Sequence, residues 1–263
     1  MNSLLEAKFP KTGTKTQKLI SLIEIAMNAP SLLPGISLKY RISGDVIELH
    51  IENTGIFNED YRLALISCGL VLSYIQRAIE ENNYIPFIQS FPSVEEPRLV
   101  AFIRIEKPQN QVNSKRMNQY NVSDGLPLLR QILTESNARI LEIDENNETR
   151  LIEHCREMKI ETTLQYIKSQ HLWNLTLQCD NERSHKPTDK SQVWLISTSM
   201  NNSISWLGIG KILGNFLRLC KEGRFQYNVD INLLENGDFR NHLNSEYSVS
   251  GYTQFMIKVT NYN

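Results

Sequence analysis

The segment from Gln17 to Ile51 constrains the fold most, because it predicts three structural elements in a fixed order. Apolar residues at helical spacing run from Leu19 to Met27. Asn28-Ala29-Pro30 predicts the end of that helix, since proline lacks the amide hydrogen that a continuing helix needs. Alternating apolar and polar residues on both sides of Ser43-Gly44-Asp45 then predict a β-hairpin. A helix, a turn and a hairpin within an ordinary α+β core is the plainest interpretation.

Apolar periodicity predicts further elements along the whole chain. Ser203 or Ser205 is the predicted cap of a long helix that begins at Trp206, and the polar stretch 180–192 is predicted to be a mobile surface loop. The predicted helices are 61–81, 123–136, 149–158, 206–221 and 238–243, and the predicted strands are 85–90, 99–105, 139–143, 193–198, 225–231 and 255–259.

Composition excludes several classes of protein. The chain has 263 residues, a net charge of −1 and 41% hydrophobic residues, and its pI is about 6.5. This charge gives no reason to expect binding to nucleic acid or to an anionic membrane, and no apolar run is predicted to span a bilayer. We expect a polar lead-in over 1–16 and one domain over 17–263, with halves at 17–108 and 122–263.

The four cysteines are scattered through the sequence without any C-x-x-C spacing. This pattern argues against a disulfide framework or a metal site, so a reducing cytoplasm is expected. Cys68 lies in an apolar segment and is predicted to be a buried thiol. No G-x-S-x-G, P-loop or dinucleotide-binding motif is present, which gives a hydrolase or a nucleotide-binding transferase little support.

Ala29-Pro30-Ser31, between a helix and an aromatic-bearing strand, resembles a loop of the nitroreductase superfamily. The run from Arg41 to Leu49 is similar to the Acg-type, dormancy-associated branch, and so is Ser67-Cys68-Gly69 inside the next helix. The resemblance implies an α+β nitroreductase-like fold, in which an antiparallel sheet is flanked by helices and two related halves share one chain. It also implies that the loop lies against flavin mononucleotide (FMN).

The sequence departs from the family pattern directly after this loop. Pro34 stands where the family has asparagine, and Ile36 stands where it has glutamine. Neither side chain can supply the amide hydrogen bonds that the family directs to the flavin edge. The sequence therefore keeps features typical of the family's fold, but it lacks part of the residues typical of the family's cofactor contacts.

The resemblance also implies which residues contact the cofactor. Arg116 and Asn118 match a family segment that binds the flavin phosphate, although Gln119 replaces a second arginine and a plain solvated loop is the alternative. The glycines of the long helix allow close approach of a flat ligand, or simply of another helix. The candidate cofactor-binding residues are Pro30, Ser31, Lys39, Arg116, Asn118, Gly210 and Lys258, with Gln254 as a weaker candidate; no catalytic side chain is assigned.

Two functions of different classes follow from these observations. The first is an FMN-binding oxidoreductase that uses NAD(P)H to reduce a small electrophilic acceptor, or a relative that sequesters flavin. The second is a degenerate member of the family that has lost its flavin and serves as a binding or interaction module with a protein partner. The chain is expected to be a homodimer or a pseudo-dimeric monomer.

Overall fold

A computed structural model describes residues 9–10, 12–29, 37–52, 59–107, 138–143, 191–223, 226–230 and 237–260. The chain divides into two compact units. The first comprises Met1–Tyr120 and Trp206–Asn215, and the second comprises Asn121–Ser205 and Phe216–Asn263. Each unit contains helices and a four-stranded antiparallel sheet, so the predicted α+β class is confirmed.

The first unit contains the predicted helix and hairpin, and residues 30–36 between them lie outside the described residues. The helix ends at Met27, Asn28 caps it, and Gly44 occupies the hairpin turn with a φ of +61°. Glycine adopts this left-handed conformation without steric penalty, which is why the turn forms at this residue. The described elements of this part are α1 (Lys15–Met27), β1 (Ser37–Ser43), β2 (Val46–Glu52), α2 (Glu59–Glu81), β3 (Ile85–Ser90) and β4 (Leu99–Glu106).

One face of the first sheet packs against α1 and α2. In β2 the alternation is strict: Ile47, Leu49 and Ile51 are fully buried, while the residues between them are partly exposed. This burial of every second residue is what the alternating sequence predicted. The core is completed by the apolar side of α1, by most of α2 and by Leu207.

The length and apolar character of helix α2 differ from what was predicted. The sequence was predicted to contain no apolar run of membrane-spanning length, but Tyr61–Glu81 is long and apolar enough by those two criteria. However, 78% of its most apolar window is buried inside the protein. The helix therefore has the burial of a core helix, as its uniformly apolar centre predicted.

The second unit contains the remaining strands. Strand β6 begins at Ser191, so the last two residues of the predicted loop 180–192 belong to a strand instead. The long helix begins at Ser203, three residues before the predicted start at Trp206. The described elements are β5 (Ala138–Ile143), β6 (Ser191–Thr198), α3 (Ser203–Gly223), whose segment Trp206–Asn215 belongs to the first unit, β7 (Gln226–Asp230), α4 (Gly237–Glu246) and β8 (Tyr252–Thr260).

The two sheets have the same strand order. The first sheet is arranged β1-β2-β4-β3 and the second β5-β6-β8-β7. In each sheet the first two strands are paired, and a helix separates them in the sequence from the last two. The predicted helices 123–136 and 149–158 and the loop residues 180–190 lie outside the described residues.

Candidate functional site

A cluster of three polar side chains, two of them buried, lies in the second unit, where β6 ends and β8 begins. Strand pairing is irregular here: Ile196 pairs with Phe255, and Ser197 pairs with Thr253. Gln254 is therefore the extra residue of a β-bulge, and its side chain is fully buried. Bulges redirect side chains and are frequent next to functional sites. We call Thr198, Asn201 and Gln254 the bulge cluster.

Hydrogen bonds connect the bulge cluster to the loop that leads into α3. The Gln254 Nε2 atom donates to the Thr198 hydroxyl oxygen at 2.8 Å and lies 3.5 Å from the Asn201 Oδ1 atom. The Thr198 hydroxyl in turn donates to the carbonyl oxygen of Met200 at 2.7 Å. A hydroxyl can accept one bond while donating another. The cluster therefore holds the backbone of this loop at Met200.

Asn202 caps α3 directly after this loop. Its Oδ1 atom accepts a hydrogen bond from the backbone N–H of Ser205 at 3.0 Å. The prediction that Ser203 or Ser205 caps the helix is thus wrong, because the chain becomes helical earlier. Asparagine is among the strongest helix caps, so this residue carried a usable signal that the sequence interpretation missed.

Gly251 permits the close approach of the two strands at the cluster. Its φ is +112°, and a Cβ atom at this position would lie 2.3 Å from the carbonyl oxygen of Thr198. No other residue fits without displacing the backbone of β6. On the neighbouring side, the Thr253 hydroxyl donates to the Oδ1 atom of Asn244 at 2.7 Å, which ties α4 to β8.

The first sheet has the same irregularity, with apolar residues in the equivalent positions. There Leu49 pairs with Ala101 and His50 pairs with Leu99. Val100 is thus the extra residue, so the bulge itself needs no polar side chain. Burying polar groups is unfavourable unless they are hydrogen-bonded, and the second unit keeps them bonded. The equivalent buried positions, counted from the bulge, are Ile51 and Thr198, Leu99 and Thr253, and Val100 and Gln254.

Three exposed apolar side chains lie close to the bulge cluster in the sequence. Met200, Ile204 and Tyr252 are 59%, 72% and 45% exposed. The cluster itself consists of amides and hydroxyls, which hydrogen-bond but do not act as general acids or bases at neutral pH. Among the described residues, no group of three or more histidine, cysteine, aspartate or glutamate side chains is placed to hold a metal ion. The hydrogen bonds shown for the cluster position the loop between β6 and α3.

The structure describes few of the predicted cofactor-binding residues. Lys39 is exposed on β1 and forms an ion pair with Glu52 at 2.8 Å. The backbone of Lys258 pairs with Val193 and Asn228 within the second sheet. The side chain of Lys258 and the residues Pro30, Ser31, Arg116 and Asn118 lie outside the description, so these assignments stay predictions.

Gly210 is placed where α3 crosses α2 inside the first unit. A Cβ atom on Gly210 would lie 2.0 Å from the carbonyl oxygen of Ile66, and one on Gly69 would lie 2.1 Å from that of Leu207. Each glycine thus admits the backbone of the other helix. A Cβ atom on Gly214 would lie 1.9 Å from the hydroxyl oxygen of Ser73 in α2. Of the two interpretations of the glycines, helix packing explains Gly210; its contact with flavin stays a prediction.

Cys68 is a buried thiol, as predicted. Its burial raises the pKa of the thiol above the ordinary value of 9.0. Burial, together with the nearby Cys68, also raises the pKa of Tyr40 above the ordinary 10.0. Reactive cysteines have lowered pKa values and partial exposure, so Cys68 has the environment of a structural residue.

The sequence matches no protein-family model and no curated protein. Among solved structures, the chain is similar to a presumed nitroreductase from Thermotoga maritima, with 11% sequence identity and a TM-score of 0.40. The similarity covers 84% of this chain and 85% of that one. At this identity and TM-score, the similarity does not define a family for the chain.

Proposed function

We propose that this protein is an FMN-binding, nitroreductase-like oxidoreductase that uses NAD(P)H to reduce a small electrophilic acceptor. The observation that carries the proposal is the placement of elements around Ala29-Pro30-Ser31. Helix α1 ends at Met27, directly before this motif, and β1 begins at Ser37 after it. Both elements pack on one core. A helix, this motif and a strand, in that order, are also the features through which the sequence resembles the superfamily.

In this proposal the residues of the chain bind and orient the cofactor. Arg116 and Asn118 hold the phosphate, because an arginine fork and an amide suit a phosphate dianion. Pro30 and Ser31 lie against the ring. A bound flavin itself supplies the hydride chemistry, so no acid or base side chain is required.

Two further predicted flavin contacts, Lys39 and Gly210, also have partners within the protein. Lys39 is already paired with Glu52, and Gly210 lies against the backbone of Ile66. Flavin contacts of these two residues stay predictions.

An absorbance spectrum tests this proposal. The purified protein, mixed with FMN and then desalted, is expected to retain the visible flavin bands. Arg116→Ala is expected to weaken FMN binding about tenfold or more, since a hydrogen bond to a charged group contributes about 1.5–3 kcal/mol. Arg77→Ala is the matched control, because Arg77 is paired with Glu81 on α2 at 2.7 Å. Equal retention in all variants would remove Arg116 from the site.

The engagement of Lys39 and Gly210 within the protein favours a second candidate function. In this alternative the chain keeps the fold without a flavin and acts as an interaction module for a protein partner. The same spectrum separates the two functions. A protein that shows no visible band and takes up no FMN supports the interaction module, and retained flavin followed by NADH or NADPH oxidation supports the oxidoreductase.

A further inference from the structure

Strand β3 forms an edge of the first sheet. It pairs with β4, and within the described part of the chain no strand pairs with its other side. Its sequence, Ile-Pro-Phe-Ile-Gln-Ser, has no charged residue. Native proteins protect sheet edges with charges, with proline or with short strands; β3 has only its short length and Pro86, whereas the other three edge strands of the described sheets carry charges. Those strands contain Lys39 and Arg41 in β1, Arg139 and Glu142 in β5, and Asp230 in β7.

The register shows which backbone groups of β3 point away from β4. Phe91 stands opposite Val100 and donates its N–H to the Val100 carbonyl at 2.8 Å. Hydrogen-bonded and non-bonded pairs alternate along an antiparallel ladder. Pro86, Ile88 and Ser90 therefore direct their backbone groups outward. Proline has no N–H, which leaves Ile88 and Ser90 as the outward donors of this strand.

We propose that β3 pairs with β3 of a second copy of this chain, antiparallel and centred on Ile88. In that register Ile88 exchanges both hydrogen bonds with the partner copy's Ile88. Ser90 donates to the partner copy's Pro86 carbonyl, and the reverse bond forms by symmetry. Every outward N–H of β3 then has an acceptor. Because Pro86 has no N–H, the Ser90 carbonyl is the one outward acceptor that remains hydrogen-bonded to solvent.

The side chains of β3 support a second copy as the occupant. Because the strand is uncharged, two copies pair without like-charge repulsion, and the strand offers no charge to select an acidic or basic peptide. Ile85 and Phe87 are 49% and 45% exposed on the solvent side of the sheet. In the proposed register Phe87 stands opposite the partner copy's Gln89, at the close side-chain spacing of a non-bonded pair.

The first test removes one outward donor. Ser90→Pro deletes an N–H that β4 does not use, whereas Ser90→Ala deletes the side-chain hydroxyl and keeps the N–H. We expect the wild-type chain and Ser90→Ala to be dimers by light scattering over a dilution series. Ser90→Pro is expected to raise the dimer dissociation constant about tenfold or more, since it removes two symmetric hydrogen bonds.

The second test uses the exposed Gln89 and does not depend on how the proline variant folds. The Arg104 guanidinium lies over the Phe87 ring at 4.7 Å. Gln89→Lys would bring a second cation to the partner copy's Phe87 and Arg104, and is expected to weaken the dimer about tenfold. Gln89→Glu is expected to keep it. A monomeric wild-type chain, or a dimer that both Ser90→Pro and Gln89→Lys leave unchanged, would overturn the proposal.

Discussion

At the scale of single residues, two glycines of the same helix have opposite surroundings. A Cβ atom on Gly210 would meet the carbonyl oxygen of Ile66 at 2.0 Å, whereas one on Gly208 would meet nothing within 4 Å. Both residues look alike in the sequence, as interruptions of a helical pattern. The difference arises because only Gly210 faces α2.

This contrast predicts opposite effects of one substitution. Gly210→Ala is expected to lower the free energy of unfolding by about 1–3 kcal/mol, because the added methyl group has no space between two helix backbones. Gly208→Ala is expected to leave the stability unchanged or to raise it by up to about 1 kcal/mol, since alanine favours the helix. Urea titrations of both variants measure the difference. Similar midpoints would contradict the packing described for α2 and α3.

Sequence patterns identify two features of single residues poorly: tight packing between helices and a hydrogen-bonded polar cluster. Gln254 occupies a bulge position in β8, between Thr253 and Phe255. Its polarity was visible in the sequence, but its contact with Thr198 was not, since the two residues are distant in the chain. Only the pairing of β6 with β8 brings them together.

At the scale of elements, α1 begins with a reciprocal pair of hydrogen bonds. The Thr14 hydroxyl accepts from the Gln17 N–H at 3.2 Å, and the Gln17 Oε1 atom accepts from the Thr14 N–H at 2.8 Å. This capping box satisfies amide groups that the helix itself leaves unpaired. It defines where the element before the Ala29-Pro30-Ser31 motif starts.

Loss of the cap is expected to destabilise the protein measurably. Thr14→Ala is expected to lower the free energy of unfolding by about 1 kcal/mol, because the hydrogen bond from the Gln17 N–H to the Thr14 hydroxyl is lost. Thr16 is exposed inside the same helix, so Thr16→Ala serves as the matched control and is expected to have no destabilising effect. Equal losses in the two variants, measured by chemical denaturation, would show that the cap contributes nothing.

The elements themselves were the most predictable part of the fold. The hairpin, α2, β3, β4 and β5 form close to where hydrophobic periodicity and turn residues placed them. Errors occurred at boundaries, such as the start of α3 at Ser203 and of β6 at Ser191. Boundaries depend on capping and on strand pairing, which are interactions with residues outside the periodic pattern.

At the scale of the whole molecule, two buried groups are expected to make the free energy of unfolding fall at alkaline pH. The raised pKa values of Cys68 and Tyr40 mean that the folded protein keeps protons that the unfolded chain releases. Their contribution is complete below pH 9.0, the ordinary thiol pKa, and declines as the pH rises through and beyond 10.0, the ordinary pKa of tyrosine. Urea titrations across this range are expected to show falling stability.

Substitution of these groups separates their contribution from general alkaline unfolding. Cys68→Ala and Tyr40→Phe each remove one titrating group, so each is expected to flatten the decline of stability with pH. The slope is the relevant measurement, because either substitution also changes packing. An unchanged slope in both variants would mean that other groups cause the decline.

The sequence alone determined the α+β class, the order of most elements and the burial of Cys68. These properties depend on local spacing and on hydrophobicity, which neighbouring residues already encode. The tertiary structure decided which glycine of α3 packs against α2, which residue caps that helix, and that Gln254 lies in a bulge. It also decided that the uncharged strand β3 stands at a sheet edge. Each of these depends on a contact between distant parts of the chain, and local periodicity contains no information about which parts will meet.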